Sequence, residues 1–248
     1  MNTCGLDHLH ICSKFIKEFY NCDVTESNLN EIVVEWYFSE YYHILCEYNI
    51  KTPYSEIVTM NDLLQDAESI NERIKQFPNS CVFARTDSCS SKPDCSFSNV
   101  ESILDSLSCS ERTKDIIKSP NCKIILRNYI QNIGEYYEFR CFVHGKKFRA
   151  ITSSQPIKYS FKFTPKMLSE IYELIDKVVF YTDYEMCSID IIIHQKTKEI
   201  MVLEINTPVW LCATSGLFDL TVPFDYNVLL GEYNPDVISY PVIRIQYE

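Results

Sequence analysis

The sequence predicts an α+β fold with a mainly helical N-terminal region, and three observations carry that prediction. Residues 1–78 place apolar and aromatic side chains at helical spacing. From residue 79 onward, short apolar runs with tight connections read as strands, three in succession and two more as a hairpin. Helical stretches fall between these strands, and the long antiparallel pairs argue against a doubly wound parallel sheet. Two regions follow, 1–78 and 79–248.

In the first region, residues 7–20 carry Leu9, Ile11, Cys12, Phe15, Ile16 and Phe19 on one helical face. Residues 26–48 are rich in aromatics, among them Trp36, Tyr37, Phe38, Tyr41 and Tyr42, a pattern that reads as a packing face. Residues 60–77 form a third helix, with Asn61 as its cap. A strand at 81–85 ends in a cation, Arg85, and a loop rich in Ser, Cys and Asp follows at 86–98. Helices are expected at 100–107 and 111–117, then strands at 122–130, 136–143 and 147–154, with Gly145 in the last tight turn. Thr164-Pro165 is a cap followed by a first-turn proline and opens a helix over 166–178. Residues 241–247 add a last strand.

Composition bounds the function. The 248 residues are enough for a sizeable core, and 46% hydrophobic with 23% charged is ordinary for a globular chain. A net charge of −11 argues against direct nucleic-acid binding, which needs a basic footprint. No run approaches the roughly 18 apolar residues of a membrane span, and the N-terminus lacks a signal-peptide core, so a cytoplasmic protein is expected. The twelve cysteines include no C-x-x-C and read as reduced thiols; the spacing of Cys4, His8, His10 and Cys12 matches no standard zinc module. With only five glycines, neither of the common glycine-rich phosphate loops is present, and there is no G-x-S-x-G elbow.

Chemistry concentrates in residues 188–206, SIDIIIHQKTKEIMVLEIN. Two apolar runs flank a polar turn, so the segment reads as a β-hairpin. Glu204 and Asn206 alternate onto one face. A turn around residues 196–198 sets Asp190 opposite Glu204, with Cβ atoms about 4.5–5.5 Å apart. Two carboxylates that close repel unless a cation lies between them, and hard oxygen donors suit Mg²⁺. Spacing alone leaves a metal site and a solvated polar face equally open; other segments favour the first.

Three blocks resemble the ATP-grasp superfamily and, within it, the cell division cycle protein 123 family. Residues 81–94, CVFARTDSCSSKPD, resemble that family's strand, serine-containing loop and later Lys. Residues 125–151 hold an LR-x-(W/Y) run and EFRCFV, and residues 190–208 resemble its metal-binding hairpin. The likeness spans residues 79–220 and implies an ATP-grasp fold, antiparallel sheets with flanking helices, that binds ATP and Mg²⁺. Arg85 and Lys92 would then meet phosphates, the main chain of Arg127, Asn128 and Tyr129 would face the adenine, and Glu138 would lie near the ribose or pair with an arginine. Arg140 would hold the phosphoryl group as the catalytic residue, with Asp190, Glu204 and Asn206 on the metal. Lys146, Lys147 and Arg149 read as a solvated turn.

The resemblance implies an assembly factor that binds the gamma subunit of translation initiation factor 2. One departure favours an ATP-dependent ligase acting on a small carboxylate and an amine. The family typically has Asp-Phe-Asn-Pro-Phe where this chain has Glu204, Ile205, Asn206, Thr207 and Pro208, and Glu-x-Asn is the usual ligase form. Residues 207–216 are also similar to the loop after that motif in D-alanine–D-alanine ligases, although Val209 stands where a glycine follows the proline there.

Overall fold

The structure, a computed structural model, describes residues 37–91, 96–131, 133–153, 162–206, 217–218, 222–229 and 241–245. The helix expected at 7–20, the Cys4–Cys12 group, Trp36, Lys92 and the 207–216 loop lie outside these residues. The chain forms two compact units, one from Tyr37–His43 with Thr52–Ile133, the other including Ile44–Lys51 and Gly134–Glu248.

The first unit is built on a four-stranded antiparallel sheet of β1 (Ser55–Thr59), β2 (Val82–Thr86), β3 (Ser96–Phe97) and β4 (Lys123–Asn128), in the order β1-β4-β2-β3. β1 precedes residue 78 yet pairs with β4, so this unit runs across the 78/79 boundary read from the sequence. Its short SEIVT run sits between helices and carries no strict alternation, which is why the 1–78 stretch reads as helical. One sheet face packs on α2 (Met60–Gln65), α3 (Ala67–Gln76) and α4 (Val100–Cys109), with Leu63, Ile70, Ile74, Ile103, Leu107, Ile124 and Leu126 in one core.

The helix expected over 60–77 is in fact two helices, because Asp66 leaves helical geometry at φ −128°, ψ 43°. Nor is Asn61 the cap. Thr59 accepts from the Asp62 N–H at 3.1 Å, and the Asp62 carboxylate accepts from the Thr59 N–H at 2.7 Å, a reciprocal box that Asn61 cannot form from inside the helix. Residues 111–117 form turns and a 3-10 segment, Ile116–Lys118, rather than an α-helix.

The second unit holds a five-stranded sheet of β5 (Tyr136–His144), β6 (Lys147–Ser153), β7 (Met186–His194), β8 (Ile200–Asn206) and β9 (Val242–Arg244), ordered β8-β7-β5-β6-β9. β9 runs parallel to β6 and every other pair is antiparallel. Gly145 and Lys146 both take positive φ, the requirement of a two-residue hairpin turn with the right twist, and glycine meets it without strain. One extra residue, Arg149, bulges from β6 where Phe142 pairs with Ala150 but Val143 with Phe148. Arg149 is therefore buried and donates to the His144 carbonyl at 2.9 Å, so it is not the solvated cation its place beside two lysines suggests. α5 (Pro165–Thr182) begins at Thr164, whose hydroxyl accepts from the Met167 N–H. Met167, Ile171, Ile175 and Val178 give it a buried stripe, and Tyr172 meets Phe148 of β6 edge-on. That sheet face carries Phe139, Cys141, Val143, Ile189, Ile191 and Ile193, all fully buried.

All seven cysteines among the described residues are free thiols, as expected. Burial pushes the Cys141 and Cys187 thiols well up, so they stay neutral at pH values where an ordinary thiol, near 8.5, ionises. Maleimide labelling mapped by mass spectrometry is expected to modify exposed Cys46 and Cys109 in the native protein. Cys141 and Cys187 should label only after denaturant is added.

Candidate functional site

The polar face of the five-stranded sheet opposes the α5 face. Register decides which side chains meet there. Arg140 of β5 pairs directly with Asp190 of β7, and Asp190 pairs directly with Glu204 of β8. Directly opposed residues share a face, so the three form one row across three strands. Asn206 lies two pairs further along, opposite Ser188, and so on the same face.

A second bulge makes this row compatible with a packed core. After the Asp190–Glu204 pair, Ile191 pairs with Val202, which leaves Leu203 as the extra residue on β8. Without it, Val202 and Glu204 would share a face; with it, Val202 is buried while Glu204 stays on the polar side.

Arg140 grips Asp190 with both arms, Nε to Oδ1 and Nη2 to Oδ2, each at 2.7 Å. Asn206 donates from Nδ2 to Oδ2 at 3.2 Å. The two charged side chains are only 14% and 7% exposed, so this is a buried, bidentate ion pair. Burial works against the Arg140 charge, but Asp190, then Glu204 and Glu138, outweigh it and hold the guanidinium above its ordinary value. The Ser188 hydroxyl, on the same face, is buried with no hydrogen-bond partner among the described residues. An unsatisfied buried hydroxyl beside two carboxylates and an amide fits a site built for a polar ligand.

Two carboxylates and an amide oxygen are a hard-donor set of the kind that holds Mg²⁺. Among the described residues, no three His, Cys, Asp or Glu side chains converge, so Asn206 would have to complete any such set.

The D123 family profile matches residues 63–236. The chain belongs to the D123 family. In structure it is similar to C-terminally truncated Cdc123 from Schizosaccharomyces pombe, with a TM-score of 0.66 at 18% identity over 87% of this chain and 97% of that one. A second structure of Cdc123 from the same organism gives 0.65 at 18% identity, over 87% of this chain and 97% of that one. An ATP-grasp RimK domain protein from Sphaerobacter thermophilus gives 0.52 at 12% identity, over 74% of this chain and 63% of that one. D-alanine–D-alanine ligase from Helicobacter pylori gives 0.53 at 14%, over 90% and 67%. These likenesses establish an ATP-grasp fold. No curated protein matches the chain in sequence.

The remaining residues singled out in this D123 protein stand as follows. Glu138 sits two residues before Arg140, on the same face. Arg85, Arg127, Asn128 and Tyr129 belong to the four-stranded unit. Arg85 and Arg127 share one face of that sheet and are 4% and 6% exposed. Both lie against the Phe38 ring, at 5.9 and 4.5 Å from its centroid. Phe38 opens α1 (Phe38–Glu47), the described part of the helix expected over 26–48. The Asn128 N–H already donates to the Tyr54 carbonyl at 2.9 Å, so of the three main-chain donors read as facing a base, this one is engaged. The Asn128 Oδ1 atom is buried and accepts nothing among the described residues.

Sequence reasoning missed two further groups. Thr152 of β6 and Arg244 of β9 extend the Arg140 row to the sheet edge. Thr152 Oγ1 accepts from the Leu217 N–H, while Arg244 pairs with buried Asp225 of α6 (Pro223–Leu229) and donates to the Leu217 carbonyl. In the other unit, Asp87 accepts from the N–H and hydroxyl of Ser39 at 2.6 Å each and pins the start of α1. Lys123 donates to the same hydroxyl at 2.9 Å. The RTDS run of residues 85–88 marks that aspartate, but a partner 48 positions away leaves no local trace.

Removing one member of a buried ion pair strands the other. Asp190→Ala is expected to destabilise the fold by about 3–5 kcal/mol in denaturant unfolding, and Asp190→Leu combined with Arg140→Met to recover most of that loss.

Proposed function

We propose that this D123 protein binds ATP with Mg²⁺ on the polar face of its five-stranded sheet. There it uses the nucleotide to hold a partner-binding form, as an assembly factor for translation initiation factor 2 through the gamma subunit. The observation that carries the reading is the Arg140–Asp190–Glu204–Asn206 cluster in a chain of this family: a bidentate cation next to hard oxygen donors suits a phosphate bridged to a metal. Asp190, Glu204 and Asn206 would hold the cation, which supplies charge neutralisation at the phosphates. Arg140 would turn to phosphate; Arg85 and Lys92 are proposed as phosphate-binding cations from the sequence resemblance alone. Glu138 would take the ribose or remain an arginine partner. Within the four-stranded unit, segment 127–129 is the proposed base-facing stretch, and the Asn128 Oδ1, which accepts nothing among the described residues, is an acceptor of the kind an exocyclic amine satisfies.

A ligase reading has one specific observation in its favour, the Glu204-x-Asn206 pair on one face of β8. In it, Arg140 and the metal would stabilise the charge as a substrate carboxylate takes the γ-phosphoryl group, and an amine would then attack the acyl carbon and displace phosphate.

Calorimetry with ATP separates the outcomes. Wild type is expected to bind ATP in Mg²⁺ and to lose most of that affinity in EDTA. Glu204→Gln, which leaves the Arg140–Asp190 pair intact, should lose at least about tenfold, or about 1.4 kcal/mol. Equal binding with and without Mg²⁺, or none at all, contradicts the proposal. Binding without ADP release, plus capture of the gamma subunit, supports the assembly factor; ADP release on adding amines or amino acids supports the ligase.

A further inference from the structure

We infer that Arg140 and a divalent cation are alternative partners of Asp190, so that the site takes a cation only together with a polyphosphate that accepts Arg140; this rests on the nucleotide-binding reading above. Three N–H donors reach the Asp190 carboxylate, two from Arg140 and one from Asn206. A carboxylate offers about four lone-pair sites, so little of Asp190 remains for a metal while Arg140 stays in place. Asn206 compounds this, because its amide presents a donor rather than an oxygen to the shared position.

Charge gives the same answer. Asp190 and Glu204 bring two negative charges to adjacent strands, and Arg140 offsets one of them. A divalent cation would offset both and take from Arg140 the carboxylate that grips it bidentately, placing a second cation beside a buried guanidinium, an arrangement that burial penalises. A polyphosphate removes the conflict, because its oxygens match the planar guanidinium fork as well as a carboxylate does. The exchange asks nothing of the backbone: Arg140, Asp190 and Glu204 are each held in a strand ladder, and only side chains need to turn. Glu138 shares the face of Arg140 and already supports its charge, so the guanidinium keeps one anionic neighbour as it leaves Asp190.

The test is equilibrium dialysis of Mn²⁺ against the full chain, with and without labelled ATP, for wild type, Arg140→Gln and Arg140→Lys. Without ATP, Arg140→Gln should bind Mn²⁺ about tenfold more tightly than wild type, a coupling of ordinary size between sites. Arg140→Lys keeps a charge but cannot cover both oxygens, so it should fall between them; if Arg140→Gln does not fold, this variant decides. With ATP present, wild type should retain Mn²⁺ and nucleotide together. Wild type binding Mn²⁺ alone as tightly as both variants overturns the exchange, and joint retention of ATP in the same experiment would leave the nucleotide reading standing. No retention of Mn²⁺ by any form, with or without ATP, overturns both.

Discussion

Asp190 is the residue on which the polar face depends. It lies in the central strand of the β8-β7-β5 triplet, with Arg140 directly beside it on one side and Glu204 on the other. A carboxylate only 7% exposed is tolerable in such a place because a guanidinium grips it bidentately. The pairing also constrains the sheet. A slip of one residue between β5 and β7 would turn Asp190 and Arg140 to opposite faces and carry the isoleucines of β7 out of the core.

The same constraint explains both bulges. β8 must present Glu204 and Asn206 to the polar face and bury Val202 and Ile205, four demands that strict alternation cannot meet. The extra residue at Leu203 reconciles them. On the other side of the sheet, Arg149 plays the same part for β6, bringing Thr152 into line with Arg140 while Phe148 stays against α5. At the sheet edge, β9 extends the row with Arg244, anchored by Asp225. One row of five paired residues therefore joins Glu204, Asp190, Arg140, Thr152 and Arg244, so the chemistry and the sheet order are one feature of the fold.

Much of this was legible in the chain. The hairpin is readable because its apolar runs flank a polar turn. A turn centred on residues 196–198 gives the Asp190–Glu204 pair, but near the turn Ile193 pairs with Ile200, one residue out of that register, and the pair is made by the Leu203 bulge. Thr164-Pro165 announces α5, and EFRCFV announces β5. What could not be read has physical causes. A bulge adds a residue without changing composition, so Arg149 looks like one more turn cation. β1 is short and lies among helices, and its partner β4 is more than sixty positions away. The Thr59 cap outranks Asn61 only through a reciprocal bond to Asp62, a matter of geometry rather than residue type. Arg244 and Asp225 meet across nineteen positions, and nothing in their local sequence signals the pairing.

The central claim is that Asp190, Glu204 and Asn206 hold a cation while Arg140 serves a phosphate. A crystal structure with Mn²⁺ and a non-hydrolysable ATP analogue, read by anomalous scattering at the manganese edge, tests it most directly. The account predicts an anomalous peak within about 2.5 Å of oxygens of Asp190, Glu204 and Asn206, with the Arg140 guanidinium turned to phosphate. A peak elsewhere, or Arg140 still gripping both oxygens of Asp190 with nucleotide bound, would contradict it.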